Sequence, residues 1–76
     1  MVNIPTGIYE HYKGKRYEVL GVARHSETQE MLVVYKMLYQ SDYPEGTLWV
    51  RPLLMFTEHV SVNGIRVPRF RHLNQS

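Results

Sequence analysis

The stretch Arg16–Tyr39, RYEVLGVARHSETQEMLVVYKMLY, contains the two most strand-like runs of the chain and a polar tip between them. Both runs are rich in β-branched and aromatic residues, which strands favour. Gly21, in the middle of the first run, predicts a bulge or a sharp bend. A helix over Met31–Gln40 would suit its Met, Leu, Lys and Gln residues, but the Val-Val-Tyr centre and the lack of a polar stripe favour a strand. The stretch therefore predicts a long β-hairpin.

The segments outside this hairpin are typical of short strands joined by turns. Asn63-Gly64 predicts a two-residue hairpin turn, since Asn-Gly readily adopts positive φ. Pro44 and Gly46 mark a loop, and LLMFTEH is too short for an independent helix and fits one helical or 3₁₀ turn. The other predicted strands are GIYEHYK, TLWVRP, VSV, IRV and a final edge segment in RFRHLNQS.

These signals predict an all-β fold in one domain that covers residues 1–76. The expected architecture is a small, partly open SH3-like β-barrel of five to six strands with one short 3₁₀ or helical turn. That barrel commonly places a single 3₁₀ turn before its last strand, whereas an OB-type barrel usually needs a longer chain and a full helix. A chain of this size buries roughly 60–65% of its unfolded surface on folding, which leaves room for one core and one shallow site.

The composition excludes several classes of protein. The chain has no cysteine, so disulfides, thiolate catalysis and cysteine-based zinc sites are absent. The first residues, MVNIPTGIYE, do not have the basic and then apolar pattern of a signal peptide. No run reaches the roughly 18 apolar residues of a membrane span. We therefore expect a soluble, cytoplasmic protein that does not bind membranes.

The net charge of +2 is unevenly distributed along the chain. Residues 1–50 carry five basic and six acidic residues, a net charge of −1, whereas residues 51–76 carry four arginines and one glutamate, a net charge of +3. A basic segment can attract an anionic partner, or its arginines can keep sheet edges soluble and unpaired. Because there is neither an RNA-binding signature nor an arginine-rich run, we expect little or no specific binding of nucleic acid.

The tip of the long hairpin holds five polar residues in a row. They are Arg24, His25, Ser26, Glu27 and Thr28. An arginine and hydroxyl groups on a loop can hold a phosphate or carboxylate; the alternative is a solvated turn whose hydroxyls bond their own backbone. The tip lacks the Gly or Asn of a tight turn, so we predict that it binds a ligand together with Trp49 and Arg51.

Catalysis at the tip would need more than these residues provide. A serine nucleophile requires a base and a group that orients the base, and the neighbouring side chains of His25 and Ser26 point apart in an extended chain. No sequence motif indicates an oxyanion hole, so we assign no catalytic residue. The histidines (His11, His25, His59 and His72) lack the i, i+2 or i, i+4 pairing typical of zinc sites. We predict neither a metal nor a cofactor.

The nine aromatic residues are more than one small interior is expected to hold. Some of those in the second half of the hairpin and after it should lie outside the core or at its rim. The candidates are Tyr35, Tyr39, Tyr43 and Trp49. Exposed rings beside an arginine suit stacking on a base, or the binding of a peptide or a cation. The alternative is that these tyrosines are amphipathic, with only the hydroxyl in water.

Four segments carry a resemblance to a known family. They are, in order, GIYEHYKGKRYEVLGVARHSET, LVVYKMLY, LWVRPLLMF and VPRF. Together they resemble a family of short bacterial proteins known as domain of unknown function 1653, over about Thr6 to Phe70. The resemblance implies a small β-barrel domain of bacterial, cytoplasmic origin. It implies no reaction, ligand or catalytic residue.

Several functions remain open from the sequence. The favoured one is a non-enzymatic binding module for a small anionic ligand or for a partner peptide or protein. A second is an enzyme, or an enzyme accessory, that acts on a phosphorylated or nucleotide-like small molecule with His25 and Glu27 in acid–base roles. A third is a self-associating module, so that the chain is a monomer or a weak homodimer. Weak nucleic-acid binding is a further alternative.

Overall fold

The structure, a computed structural model, describes residues 4–73, which form seven strands and one helical turn. In chain order these are β1 (Gly7–His11), β2 (Arg16–Arg24), β3 (Met31–Met37), β4 (Leu48–Pro52), α1 (Leu53–Phe56), β5 (His59–Val62), β6 (Ile65–Pro68) and β7 (Phe70–His72). The prediction of a small all-β fold with one helical turn is confirmed. The seventh strand is the edge segment expected near the end of the chain.

The strands form two antiparallel sheets. The larger sheet has the order β4-β3-β2-β1-β7, and the smaller one pairs β5 with β6. β2 and β3 make the long central hairpin that the sequence predicted. β7 returns to pair with β1, so the last strand of the fold lies beside the first. Within residues 4–73 the larger sheet stays open, with β4 and β7 as its edges, and no closed barrel forms.

A β-bulge at Gly21 interrupts β2, as predicted. Val19 is opposite Tyr35 and Gly21 is opposite Val34, so Leu20 is an extra residue on this strand. Side chains alternate between the two faces of a strand, and one extra residue resets that alternation. Both halves of β2 can therefore present apolar side chains to the same core, while Leu20 is 46% exposed.

The core lies between one face of the larger sheet and α1. Its buried members are Tyr9, Val19, Val33, Tyr35, Leu53, Phe56 and Phe70. Phe56 of α1 stacks on Phe70 of β7, with ring centroids 4.1 Å apart and ring planes 3° from parallel. Full burial of an apolar side chain of this kind contributes roughly 1.5–3 kcal/mol. The stack therefore joins the helical turn to the edge of the sheet.

α1 has only four residues, too few to be stable without tertiary contacts. It follows Pro52, and at its other end the Thr57 hydroxyl donates a 2.9 Å hydrogen bond to the carbonyl of Leu53. Leu53 and Phe56 are buried, whereas Leu54 is exposed. Packing rather than length therefore keeps this turn helical. No helix in the described part of the chain is long and apolar enough to cross a membrane.

β5 and β6 are joined by the two-residue turn that the sequence predicted. Asn63 and Gly64 adopt φ values of 52° and 80°, and Val62 is paired with Ile65 on either side of them. Positive φ at both central residues is the requirement of a type I′ turn, whose twist matches that of the strands it joins. The prediction of a hairpin here is confirmed.

Replacing Gly64 by Val is expected to lower the free energy of unfolding by about 1 kcal/mol or more, because a β-branched residue resists positive φ. Steric contact is not the reason, since a Cβ atom at Gly64 would meet no neighbour within 4 Å. Gly21→Val is the matched control: the space there is also open, but φ is not positive. Urea denaturation measures both variants. Equal losses of stability would contradict the explanation.

Candidate functional site

An aromatic pocket opens beside β2, β3 and β4 and the loop that joins β3 to β4. It has a volume of about 280 Å³. Its lining residues are Tyr17, Tyr35, Met37, Tyr39, Ser41, Tyr43, Trp49 and Arg51. Planar aromatic walls and one positive charge therefore meet in a single concave place. We call this site the aromatic pocket.

The register of three neighbouring strands explains why these side chains meet. Tyr17 of β2 is opposite Met37 of β3, and Tyr35 of β3 is opposite Trp49 of β4. Residues directly opposite each other in an antiparallel pair point to the same face of the sheet. Arg51 lies two residues beyond Trp49 and so shares that face. The pocket thus results from pairing between segments that are distant in the chain.

Arg51 is the charged residue of the pocket. Its Nε donates a 3.4 Å hydrogen bond to the Tyr35 hydroxyl, and its guanidinium carbon lies 5.4 Å from the centroid of the Phe70 ring. Among residues 4–73, no carboxylate lies within ion-pair distance of this guanidinium, although Arg16, Arg69 and Arg71 each have one. Arg51 therefore brings a positive charge into the pocket without a counter-charge from the protein.

Two tyrosine hydroxyls form one polar wall. The hydroxyl groups of Tyr17 and Tyr39 are 2.5 Å apart and share a hydrogen bond. Burial, with this hydrogen bond as the next contribution, raises the pKa of Tyr17 well above its ordinary value of 10.0. The phenol is therefore neutral and keeps its proton. Lys15 adds a second positive charge nearby, with its Nζ 5.0 Å from the centroid of the Tyr39 ring.

Tyr43 and Trp49 form the outer rim. Their rings meet edge to face, with centroids 5.0 Å apart and an angle of 88° between the planes. Tyr43 is 53% exposed. The backbone N–H of Tyr43 donates a hydrogen bond to the hydroxyl of Ser41. The prediction that some aromatic residues lie at a rim is confirmed for Tyr39, Tyr43 and Trp49, whereas Tyr35 belongs to the core.

The structure separates the predicted site residues into two groups. Trp49 and Arg51 line the aromatic pocket. The tip residues, 24–28, begin with the last residue of β2 at the far end of the hairpin, where Arg24 is opposite Met31. Trp49 is opposite Tyr35, four residues further along β3, which is about 13 Å at the rise of an extended strand. The lining of the aromatic pocket therefore includes Trp49 and Arg51 but none of the tip residues.

Three polar side chains of the tip, those of Arg24, His25 and Thr28, bond to the backbone of their own turn. Nδ1 of His25 accepts hydrogen bonds from the backbone N–H groups of Glu27 and Thr28, at 3.1 and 3.3 Å. Arg24 donates to the carbonyl of Gln29 at 3.0 Å. The hydroxyl of Thr28 accepts a bond from the next-but-one backbone N–H. These bonds explain how a turn without Gly or Asn can form, and a ligand-binding role for the tip stays a prediction.

Sequence reasoning did not assign Tyr17, Met37 or Ser41 to the site. Tyr17 enters the pocket because β2 pairs with β3 in a register that places it opposite Met37. The signal available in the sequence was the alternation of both strands, which gives the face of each residue but not its partner across the sheet. Ser41 enters through the loop after β3, whose course no local pattern predicted.

Comparison with known proteins identifies the family. Residues 7–72 match the family model described as protein of unknown function DUF1653. The chain belongs to the DUF1653 family. A DUF1653 protein from Bordetella bronchiseptica, known from its crystal structure, is similar in fold and sequence: the TM-score is 0.83, the identity is 36%, and the match covers 96% of this chain and 91% of that one. No curated protein matches the chain.

His11 of this DUF1653 domain lies on β1 beside the core. Its ring is 4.9 Å from that of Phe70, and its Nδ1 accepts a hydrogen bond from the backbone N–H of Lys13 at 3.2 Å. Burial, together with the positive charges of Arg51, Arg69 and Lys13, holds the pKa of His11 below its ordinary value of 6.5. The imidazole is therefore neutral at neutral pH.

This pKa shift makes the stability of the domain depend on pH. Because the pKa of His11 is lower in the folded chain than in the unfolded chain, the unfolded chain takes up the proton first as the pH falls. The stability that depends on neutral His11 is therefore fully present above about pH 6.5, the ordinary pKa of histidine, and is lost as the pH falls through the lower pKa of the folded chain. The melting temperature should decrease less between pH 7.5 and pH 5.5 for His11→Gln than for the parent protein. His59→Gln, on an exposed position of β5, should behave as the parent does.

The tip can be tested separately from the pocket. Replacing Arg24 and His25 together by Ala removes three hydrogen bonds to backbone groups. Each such bond contributes about 0.5–1.5 kcal/mol, less where water replaces it, so a lower melting temperature is expected with little effect on ligands of the aromatic pocket. Calorimetry measures the melting temperature, and titration with a ligand of the aromatic pocket measures its affinity. An unchanged melting temperature with complete loss of ligand binding would instead make the tip a binding site.

Proposed function

We propose that this protein binds a small anionic ligand with a planar aromatic body in the aromatic pocket. The observation that carries the proposal is Arg51, a half-buried cation among aromatic rings that has no carboxylate partner within residues 4–73. A guanidinium presents a planar fork of N–H donors that matches a carboxylate or a phosphate. A ligand with such a group would supply the missing counter-charge.

The charge of Arg51 also determines which ligands the aromatic walls suit. Without it, several tyrosines and a tryptophan would favour a cation over their ring faces. A bound cation would be repelled by Arg51 and by Lys15, whose Nζ lies over the Tyr39 ring. An aromatic ring that carries an acid group meets both requirements: its ring packs on the walls and its acid group approaches the guanidinium.

The size of the pocket supports a small ligand. Its volume of about 280 Å³ is somewhat below the usual range of roughly 300–1,000 Å³ for drug-sized ligands. A dry cavity of about 150 Å³ is enough for benzene. One aromatic ring with a carboxylate or phosphate group therefore fits. The hydroxyls of Tyr17, Tyr39 and Ser41 are positioned to orient it through hydrogen bonds.

Binding is favoured over catalysis by the chemistry of the lining. The side chains that most often transfer protons in enzymes are imidazoles and carboxylates. The lining residues that the structure describes include neither. His25 and Glu27, the acid–base candidates of the enzyme hypothesis, are on the distant tip. We therefore propose a binding module and assign no reaction to it.

The proposal predicts that Arg51→Gln weakens the binding of benzoate and phenyl phosphate about 10-fold or more, since a hydrogen bond to a charged group contributes roughly 1.5–3 kcal/mol. Trp49 is the single tryptophan of the chain and lies in the pocket, so its fluorescence reports binding directly. Arg66→Gln is the matched control, because Arg66 is an exposed arginine outside the pocket.

Benzylamine, which has the same ring and the opposite charge, provides the second comparison. It should bind more weakly than benzoate to the parent protein and should gain affinity in Arg51→Gln. Thermal denaturation verifies that both arginine variants are folded. Tighter binding of benzylamine than of benzoate to the parent, or an unchanged affinity for benzoate in Arg51→Gln, would contradict the proposal.

A further inference from the structure

A second cavity lies between the turn that joins β1 to β2 and the β5–β6 hairpin. Its volume is about 440 Å³. The residues that line it are Glu10, His11, Tyr12, Gly14, Val62, Val67, Pro68 and Arg71. We call it the hairpin cleft. It shares no lining residue with the aromatic pocket, so what it binds is independent of the proposed function.

One wall of the hairpin cleft is aliphatic. The register of β5 and β6 places Val60 opposite Val67 and Val62 opposite Ile65, so all four β-branched side chains share one face of the hairpin. Val62 and Val67 line the cleft, which shows that this face is turned towards it. The face is only partly covered, since Val62 is 37% and Ile65 65% exposed.

The hairpin itself is held to the body at its base. Among the described residues, β5 and β6 pair with each other and with no strand of the larger sheet. Glu58 and Arg69, the residues that flank the hairpin, close its base with a 2.7 Å ion pair. The backbone carbonyl of Arg69 accepts a 3.0 Å hydrogen bond from the backbone N–H of Tyr12, which ties this base to the end of β1. The apolar face of the hairpin therefore lines the cleft without being hydrogen-bonded to any strand of the larger sheet in the described residues.

The charged residues that line the cleft, Glu10 and Arg71, form an ion pair, and an excess of positive charge lies at the rim. Glu10 contacts Arg71 at 2.7 Å and Arg16 at 3.7 Å, so one carboxylate faces two guanidinium groups. Lys13, between the two lining residues of the turn, places its Nζ 5.8 Å from the centroid of the Tyr12 ring. Three cations and one acid leave an excess of two positive charges beside the aliphatic wall. An anionic partner with apolar side chains complements both the aliphatic wall and the rim.

We infer that the hairpin cleft binds an extended acidic peptide that inserts two apolar side chains at alternate positions. Alternate residues of a strand point to one side about 6.6 Å apart, and the cleft volume of about 440 Å³ accommodates two such side chains, since about 150 Å³ holds a benzene ring. Acidic residues two positions before and after the apolar pair point to the same side and reach Lys13, Arg16 and Arg71 at the rim. Such binding resembles that of other peptide grooves, in which pockets accept alternate side chains of an extended peptide.

The chemistry of the cleft favours a peptide over other anionic partners. Single-stranded nucleic acid is bound largely by stacking of successive bases on separate aromatic rings. In the cleft the rings of His11 and Tyr12 pack on each other, with centroids 4.6 Å apart, and the other apolar lining residues are aliphatic. A membrane surface is bound by apolar groups that protrude from a protein. Here the apolar groups Val62 and Val67 line a concave surface.

The test uses a fluorescein-labelled heptapeptide of sequence Glu-Asp-Leu-Glu-Val-Asp-Glu and two-dimensional amide NMR of the full chain. The peptide should shift the signals of Tyr12, Gly14 and Val62 and leave that of Trp49 unchanged. Two altered peptides define the requirements: one with Ser in place of Leu and Val, and one with Lys in place of every acid. Both should bind at least tenfold more weakly.

A matched pair of charge reversals locates the rim. Lys13→Glu should weaken binding about fivefold or more, as expected for a charge at the edge of an interface. Arg66→Glu changes the net charge equally, but Arg66 is exposed and is not a lining residue of the cleft. It should leave the affinity within twofold. Val62→Ser should weaken binding about tenfold, whereas Leu54→Ser, at an exposed position of α1, should not.

Each of the other results would overturn the inference. These results are amide shifts only outside the hairpin cleft, or no shifts at millimolar peptide. Binding of the Lys-containing or Ser-containing peptide as tight as that of the acidic peptide, or equal effects of Lys13→Glu and Arg66→Glu on the affinity, would also overturn it. Tighter binding of a twelve-nucleotide thymidine oligonucleotide than of the acidic peptide, lost in Lys13→Glu, would assign the cleft to nucleic acid instead. Binding of benzoate to the aromatic pocket is measured separately and does not depend on these results.

Discussion

Phe70 packs face to face on Phe56, and its ring also contacts the rings of His11, Tyr17 and Tyr35. These neighbours come from α1, β1, β2 and β3, so one side chain on an edge strand joins most of the fold. On its remaining side lies the guanidinium of the pocket arginine. An aromatic ring with so many edge and face contacts gains both apolar burial and favourable ring geometry. The core and the wall of the aromatic pocket are therefore parts of the same cluster.

The features that the sequence predicted correctly are those that depend on a few consecutive residues. Asn63-Gly64 required positive φ at both positions, Gly21 marked a bulge, and LLMF formed a single helical turn. In each case the physical cause is local: a backbone conformation, or a segment too short to be a longer helix. The family resemblance, confirmed by the match over residues 7–72, covered the same elements in the same order.

The candidate site was only partly predictable, because it depends on pairing between distant segments. The alternation of β2 and β3 assigned faces, yet the partner of Tyr17 follows from a register that includes a bulge. Arg24 and Arg51 illustrate the difference. Arg24 is the last residue of β2, and its side chain reaches a carbonyl of the adjoining turn. Arg51 lies within β4, away from a turn whose carbonyls it could reach, and its side chain contacts Tyr35 of the neighbouring strand. A polar side chain within a sheet contacts residues of neighbouring strands, and a local sequence pattern does not predict which residues these are.

The pairing of β7 with β1 has a consequence for the synthesis of the protein. Glu10 and Arg71, joined by an ion pair, are 61 residues apart in sequence, and Phe70 enters the core from the same strand. All the residues from β1 to β7 therefore have to leave the ribosome before the core can close. Until then the central hairpin exposes Val33 and Tyr35, which are buried in the finished fold. Pairings this distant in sequence form slowly, so the nascent chain has an interval in which its apolar strands are open to chaperones and to one another.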